Sequence, residues 1–228
     1  MCEQYVACAA EPFRIADLWP FTERLERYGL AGFGWGATWL AGDGSLRSYR
    51  DIGSFREDSA RERVGRNETR AVLVHLRWPS KFSTIGIPDT QPFDDPEGRY
   101  SFSHNGDLKH HESFRKEYRE AGRLHGKADT EVGARWLEDR WSAADPVPGV
   151  LEELHDTFGG HANLAVLTSA GEGHHYAGND ENPVFTFDIG PIHLACTGMY
   201  SLDRSVFKYV VPEATNRRLV PLETTASL

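Results

Sequence analysis

The chain has 228 residues, 25 Lys and Arg against 34 Asp and Glu, a formal charge of −9 and 39% hydrophobic residues. That length and apolar content suffice for a substantial core, so the expectation is one domain over residues 1–228. The acidic balance argues against nucleic acid or an anionic membrane as partner, since both demand a basic face. Three cysteines with no C-x-x-C pair exclude a disulfide scaffold and speak against structural zinc. No apolar run approaches the ~20 residues a bilayer requires, and no basic-then-apolar leader opens the chain. A cytoplasmic protein is expected.

In chain order, Gln4–Ala9 reads as a buried strand. Leu18, Phe21, Leu25 and Tyr28 recur at helical spacing over Asp17–Tyr28, ended by Gly29. Gly34–Leu40 and Ser45–Tyr49 flank Ala41-Gly42-Asp43-Gly44 as a hairpin. Arg56–Val64 is a charged helix, and Ala71–Arg77 a strand with Val72, Val74 and Leu76 on one face and Leu73, His75 and Arg77 on the other. Trp78–Gly98, rich in Pro, Ser, Asp and Gly, reads as a long loop.

Tyr100–His104 follows as a strand and His111–Glu120 as a helix; Asp129 is placed to N-cap a helix over Thr130–Arg140. Another helix covers Val150–Phe158. From there the pattern turns strand-like at Ala162–Thr168, His174–Ala177, Val184–Asp188, Ile192–Cys196 and Val206–Val211, and Glu223–Leu228 reads as a frayed tail. Strands at both ends with helices between imply a layered α+β domain.

The chemistry starts at Met1-Cys2. A small second residue lets the initiator methionine be removed, leaving a thiol of reference pKa ~8.5 and an α-amine of ~7.7–8.0 on one residue. Nucleophile and base then coincide, as for a terminal threonine with its own amine. Taken alone, Cys2 is equally a buried or incidental cysteine. Three downstream segments join it: His75-Leu76-Arg77 at a strand end, Ser103-His104-Asn105-Gly106-Asp107 after another strand, and Ala128-Asp129-Thr130-Glu131 at a helix start.

Asn-Gly after a strand is ordinarily a hairpin turn, yet no alternating return strand follows. The same pair supplies two donors for an oxyanion: an amide side chain, and a backbone N–H that glycine lets approach closely. Arg77 is either a strand-end arginine or a planar fork for a carboxylate. Asp129 is a helix cap or an anion for an ammonium group.

With Gly34-Trp35-Gly36, these segments resemble, in order and spacing, the glutaminase domain of class II glutamine amidotransferases, which are N-terminal-nucleophile hydrolases. The resemblance covers Cys2 to Trp136 and implies a four-layer αββα sandwich. It implies that Cys2 attacks the γ-carbonyl of glutamine or a related γ-glutamyl amide, with Asn105 and Gly106 as the oxyanion hole. It also implies that Arg77 holds the α-carboxylate and Asp129 the α-ammonium. His75 is expected beside the site and Trp35 as a pocket wall. No metal and no organic cofactor is required.

Two departures stand out. Many standalone members carry an acidic residue where this chain has Phe33, and Thr-His-Pro-Phe where it has Thr90-Gln91-Pro92-Phe93. The chain is also about one module long, so the expected recipient of ammonia is a separate synthase subunit, unless a γ-glutamyl compound is simply hydrolysed. The standalone γ-glutamyl amidohydrolases of ergothioneine synthesis are similar.

Two rival readings accompany this one. A non-catalytic amino-acid-binding regulatory domain of the same fold keeps Arg77 and Asp129 without needing Cys2. A metal hydrolase built on the 10 histidines lacks any His-Glu-x-x-His spacing. Cys8 and Cys196 lie in apolar strand-like runs and read as core.

Overall fold

A computed structural model describes residues 2–29, 31–142, 144–199 and 206–228. Its architecture is two stacked antiparallel sheets with helices on both outer faces. The first sheet has seven strands: β1 (Glu3–Arg14), β2 (Trp35–Leu40), β3 (Leu46–Asp51), β4 (Glu68–Leu76), β9 (Val184–Ile189), β10 (Ile192–Thr197) and β11 (Thr215–Leu219). They run in the order β11-β9-β10-β1-β4-β2-β3. The second sheet has five: β5 (Phe93–Asp94), β6 (Tyr100–Gly106), β7 (Ala162–Thr168), β8 (Gly173–Ala177) and β12 (Thr224–Ser227), ordered β12-β8-β7-β6-β5.

Three apolar clusters fill the three spaces between four layers. One packs the outer face of the first sheet under α1 (Trp19–Gly29), α2 (Ala60–Gly65) and α6 (Val206–Val210). A second packs the second sheet under α3 (His111–Glu120), α4 (Asp129–Arg140) and α5 (Val147–Phe158). The third lies between the sheets, built largely of small and branched residues such as Val6, Ala71, Leu73, Ala165 and Ala195. This is the α+β, four-layer αββα sandwich expected. β4 alternates as read: Val72, Val74 and Leu76 face the outer helices, while Ala71 and Leu73 face the second sheet.

Several expectations change. The first helix opens with a 3-10 turn (Ile15–Leu18), and the charged helix shrinks to α2 because residues 56–59 form turns on Ser54 and Asp58. The long loop contains two 3-10 turns (Phe82–Thr84, Ile87–Asp89) and β5. The run read as a strand at Val206–Val211 is the helix α6. Phe207, Val210 and Val211 are buried while Lys208 and Tyr209 are exposed, which is a helical period despite β-branched residues. β11 was not foreseen; it pairs with β9.

The expected frayed tail is β12. It pairs Thr224–Ser227 with His174–Ala177 along β8, and the Leu228 amide bonds the Gly173 carbonyl at 2.9 Å. Ala226 and Leu228 pack against the inter-sheet cluster. Deleting residues 224–228 therefore exposes the β8 edge and should cost on the order of 2 kcal/mol, or about 4–8 °C in Tm. Thermal unfolding of the truncated chain checks this, and an unchanged Tm would contradict it.

Candidate active site

The register of β1 on β4 places the nucleophile candidate. Glu3 pairs with Leu76 and Gln4 with His75, which sets Cys2 alongside Arg77 and Trp78 at the strand end. The Trp78 amide donates to Cys2 Sγ at 3.4 Å, and the thiol reaches the Trp78 carbonyl at 3.5 Å. Cys2 opens onto a cavity of about 410 Å³ lined also by Arg77, Asn105, Gly106 and Asp129. Five of the seven residues singled out from sequence thus meet in one hollow. Burial pushes the Cys2 thiol up; the Trp78 amide and the Arg77 guanidinium pull the other way without reversing it. Met1 lies outside the described residues.

Arg77 is buried, yet it donates only Nη2 to a side chain, to Thr84 Oγ1 at 2.9 Å, leaving Nη1 without a partner. Burial lowers its pKa, opposed by Cys2 and Asp89; an arginine nonetheless stays charged. Asn105 is likewise buried, with neither side-chain atom hydrogen-bonded. A buried, unmade hydrogen bond costs about 1–3 kcal/mol, so these free groups mark a surface prepared for a polar ligand. Gly106 has φ +131°, and a Cβ there would collide with the His161 carbonyl oxygen. Only glycine fits between β6 and the start of β7.

Asp129 is not the cap of α4. Ala128 holds that position with extended backbone, and Asp129 is the first helical residue. Its carboxylate accepts from the Leu108 amide at 2.8 Å and the Thr130 amide at 3.0 Å, tying the turn after β6 to the start of α4. The approach to α4 is pinned from two sides. Glu131 accepts from the His125 and Gly126 amides at 2.8 and 2.7 Å, and Asp89 from those of Lys127 and Ala128 at 2.6 Å each.

Trp35 and His75 do not line the cavity. Trp35 is fully buried on the helical side of the first sheet, with its indole N–H on Asp58 at 3.0 Å and its ring edge-on to Phe55 at 5.0 Å. Strand alternation turns Trp35 outward and Gly36 inward, where a Cβ would collide with the Gln91 carbonyl oxygen. The glycine, not the tryptophan, borders the loop that shapes the site. His75 is buried between the sheets, with neither ring nitrogen hydrogen-bonded. Burial first, then Arg77 and His104, bring its pKa down to about 3, so it is neutral.

Sequence reasoning missed the supports: Thr84, Asp89 and Thr130, and the role of Gln91, seen only as a departure. The signal available was their polarity in a long loop, but sequence does not reveal that Asp89 and Gln91 are buried. Gln91 accepts from the His104 amide at 2.6 Å, which fixes its carboxamide; Nε2 then donates to Thr130 Oγ1 at 3.2 Å. Thr130 Oγ1 lies 3.1 Å from His104 Nδ1, the acceptor its own proton has among the described hydrogen bonds. The network therefore assigns the His104 proton to Nε2. Burial lowers the His104 pKa against the pull of Asp129 and Asp107.

Among the described residues no group of three or more His, Cys, Asp or Glu could hold a metal ion, and no helix is long and apolar enough to cross a membrane. No protein-family model matches the sequence, and no curated protein matches it. Solved structures do. The chain aligns with the glutamine phosphoribosylpyrophosphate amidotransferase of B. subtilis (16% identity, TM-score 0.72), covering 100% of this chain and 49% of that one. It aligns with the allosteric regulatory enzyme of purine biosynthesis (15% identity, TM-score 0.73), covering 100% and 48%. A glutamine aminotransferase class-II domain protein from Silicibacter pomeroyi aligns at 16% identity and TM-score 0.59, covering 99% of this chain and 98% of that one. The chain thus spans about half the length of the first two. The chain shares the fold of these three structures, two stacked antiparallel sheets between helical layers.

Two predictions come from this geometry. Nitrogen-15 NMR of labelled histidine should show His104 protonated on Nε2, with the bias lost in Gln91→Leu; protonation on Nδ1 in the wild type would refute the assignment. Glu3, fully buried beside Cys2, accepts from Thr197 and from the Asn182 side chain at 3.4 Å; burial raises its pKa to about 7 against the pull of those bonds. A carboxyl whose folded pKa is raised favours the fold below about pH 4.5. That contribution is lost as pH rises toward 7, by up to about 3 kcal/mol. Urea unfolding should show stability falling between about pH 4.5 and 7, and Glu3→Gln should flatten that slope.

Proposed function

We propose that this protein is an amidohydrolase of the class II glutamine amidotransferase type, acting on glutamine or a related γ-glutamyl amide through a γ-glutamyl thioester on Cys2. The observation that carries the reading is the meeting in one cavity of a thiol, a guanidinium and an amide with unused hydrogen-bonding groups, and a carboxylate. Arg77 and Asp129 suit opposite ends of an amino-acid zwitterion. Arg77 offers the free Nη1, and Asp129 offers lone pairs beyond those its two amides use.

In this reading Met1 is removed and the freed α-amine of Cys2 takes the thiol proton. The thiolate attacks the γ-carbonyl carbon, and the oxyanion is received by the Asn105 amide and the Gly106 N–H. The C–N bond breaks as the α-ammonium returns its proton to the leaving nitrogen. Water then adds to the thioester and glutamate departs. His104 is not the base in this scheme, since its Nδ1 is occupied by Thr130 and burial lowers its pKa. Whether ammonia passes to a separate synthase subunit or escapes depends on the partner, not on these residues.

The test is mass spectrometry after exposure to a glutamine-like diazoketone, together with glutamate release. Label on Cys2 with Met1 absent, and turnover abolished by Cys2→Ala with the fold intact, is the expected result. Arg77→Met should raise KM about a hundredfold on substrates with a free α-carboxylate, the scale of losing a charge-assisted pair. An unlabelled Cys2 behind a retained Met1 would favour the amino-acid-binding regulatory domain instead.

A further inference from the structure

One cavity-lining residue, Trp78, belongs to an aromatic cluster with Phe33 and Phe82 that the hydrolysis scheme leaves unused. Phe33 stands edge-on to Trp78, ring centroids 5.1 Å apart, and tilts against Phe82 at 5.7 Å. Trp78 lines the cavity and its backbone brackets the Cys2 sulfur. Phe82 is 72% exposed although its ring packs on Phe33, which leaves most of an apolar side chain facing solvent. The turn bearing Phe82 is held in place. Thr84 accepts from Arg77 at 2.9 Å and donates to the Lys81 carbonyl at 2.7 Å. At about 410 Å³ the cavity lies in the range of about 300–1,000 Å³ that takes ligands larger than one amino acid.

We propose that the substrate carries an aromatic group on its γ-amide nitrogen, and that the Phe33–Trp78–Phe82 rim selects such γ-glutamyl amides over glutamine. The inference rests on the γ-glutamyl reading above. With the α-carboxylate on Arg77, the α-ammonium on Asp129 and the γ-oxygen at Asn105 and Gly106, the γ-nitrogen is the one position left to bear a further group. The bond broken is the same C–N bond. The aromatic amine leaves with the proton from the Cys2 ammonium, the acyl group stays on sulfur, and water releases glutamate. The amine has two sources, an arylalkylamine or an aromatic amino acid. Lys81 lines the cavity and makes no ion pair among the described residues, so it would favour the carboxylate of the second.

The experiment compares kcat/KM, by glutamate release, for glutamine, γ-glutamylphenethylamide and γ-glutamylphenylalanine in wild type, Phe82→Ala and Lys81→Ala. The wild type should prefer the aromatic amides at least tenfold, and Phe82→Ala should cut that ratio at least fivefold. A preference for γ-glutamylphenylalanine that Lys81→Ala removes assigns the amino-acid source, whereas equal use of both aromatic amides assigns the amine. Glutamine turned over as well as either, or a Phe82→Ala loss equal on all three, overturns the rim while leaving the hydrolase reading standing. Turnover of none, with Cys2 unlabelled by the diazoketone, removes both.

Discussion

Every group of the candidate site depends on the pairing of β1 with β4. The register Glu3 to Leu76 brings the second residue of the chain beside the seventy-seventh, and so sulfur beside guanidinium. Because side chains alternate along a strand, a slip of one residue would exchange faces and carry Cys2 away from the cavity. The register is locked across the sheets at Gln4. Its side chain donates to the Asn163 carbonyl at 3.1 Å and accepts from Ser103 at 2.5 Å, while its backbone amide reaches Thr197 at 3.0 Å. Those bonds join β1 to β7, β6 and β10 immediately beneath Cys2, so Asn105 and Gly106, which follow Ser103 on β6, share one frame with the thiol.

That frame holds its polar groups under tension of a particular kind. A protein interior normally satisfies its buried donors and acceptors, yet Arg77 Nη1 and both Asn105 side-chain atoms go without. Both residues line the cavity, so a polar ligand entering it could reach these groups. His75 differs. It is equally unpartnered but does not line the cavity, and its depressed pKa keeps it neutral. Burying it uncharged avoids the larger penalty of an unpaired cation next to Arg77.

Much of this was legible in the sequence where local pattern and tertiary role coincide. The alternation of β4, the helices α3 and α4 and the hairpin of β2 with β3 were read closely because their apolar period is set by a single buried face. The site residues were legible as motifs because each chemical requirement names a residue type. The failures have one cause, partners distant in the chain. β12 is a strand only because β8 offers an edge, and α6 is a helix because its buried positions fall three and four apart on the first sheet. Asp129 looked like a cap because aspartate often is one; its carboxylate is instead drawn to Leu108, twenty-one residues earlier. Trp35 looked like a wall because tryptophans often are, yet its neighbour Gly36 faces the loop.

The two departures from the amidotransferase pattern fall on the same side of the site. Gln91 holds β6 to the start of α4, a task for which an amide, acceptor at one atom and donor at the other, is better suited than a titrating imidazole. Phe33, in place of an acid, gives up a charge at the rim and joins Trp78 and Phe82 in an apolar edge. Phe33 meets Arg77 through the backbone, its amide donating to the Arg77 carbonyl at 3.1 Å, and the Gln91 side chain bonds His104 and Thr130 rather than Cys2, Arg77 or Asp129. Both adjoin the segment running from Arg77 to Gln91, which is anchored to Arg77 through Thr84 and to β6 through Gln91. A segment fixed at both ends beside the cavity can change what it presents between them without moving Arg77 or β6, and so the residues lining the cavity and those flanking it can vary separately.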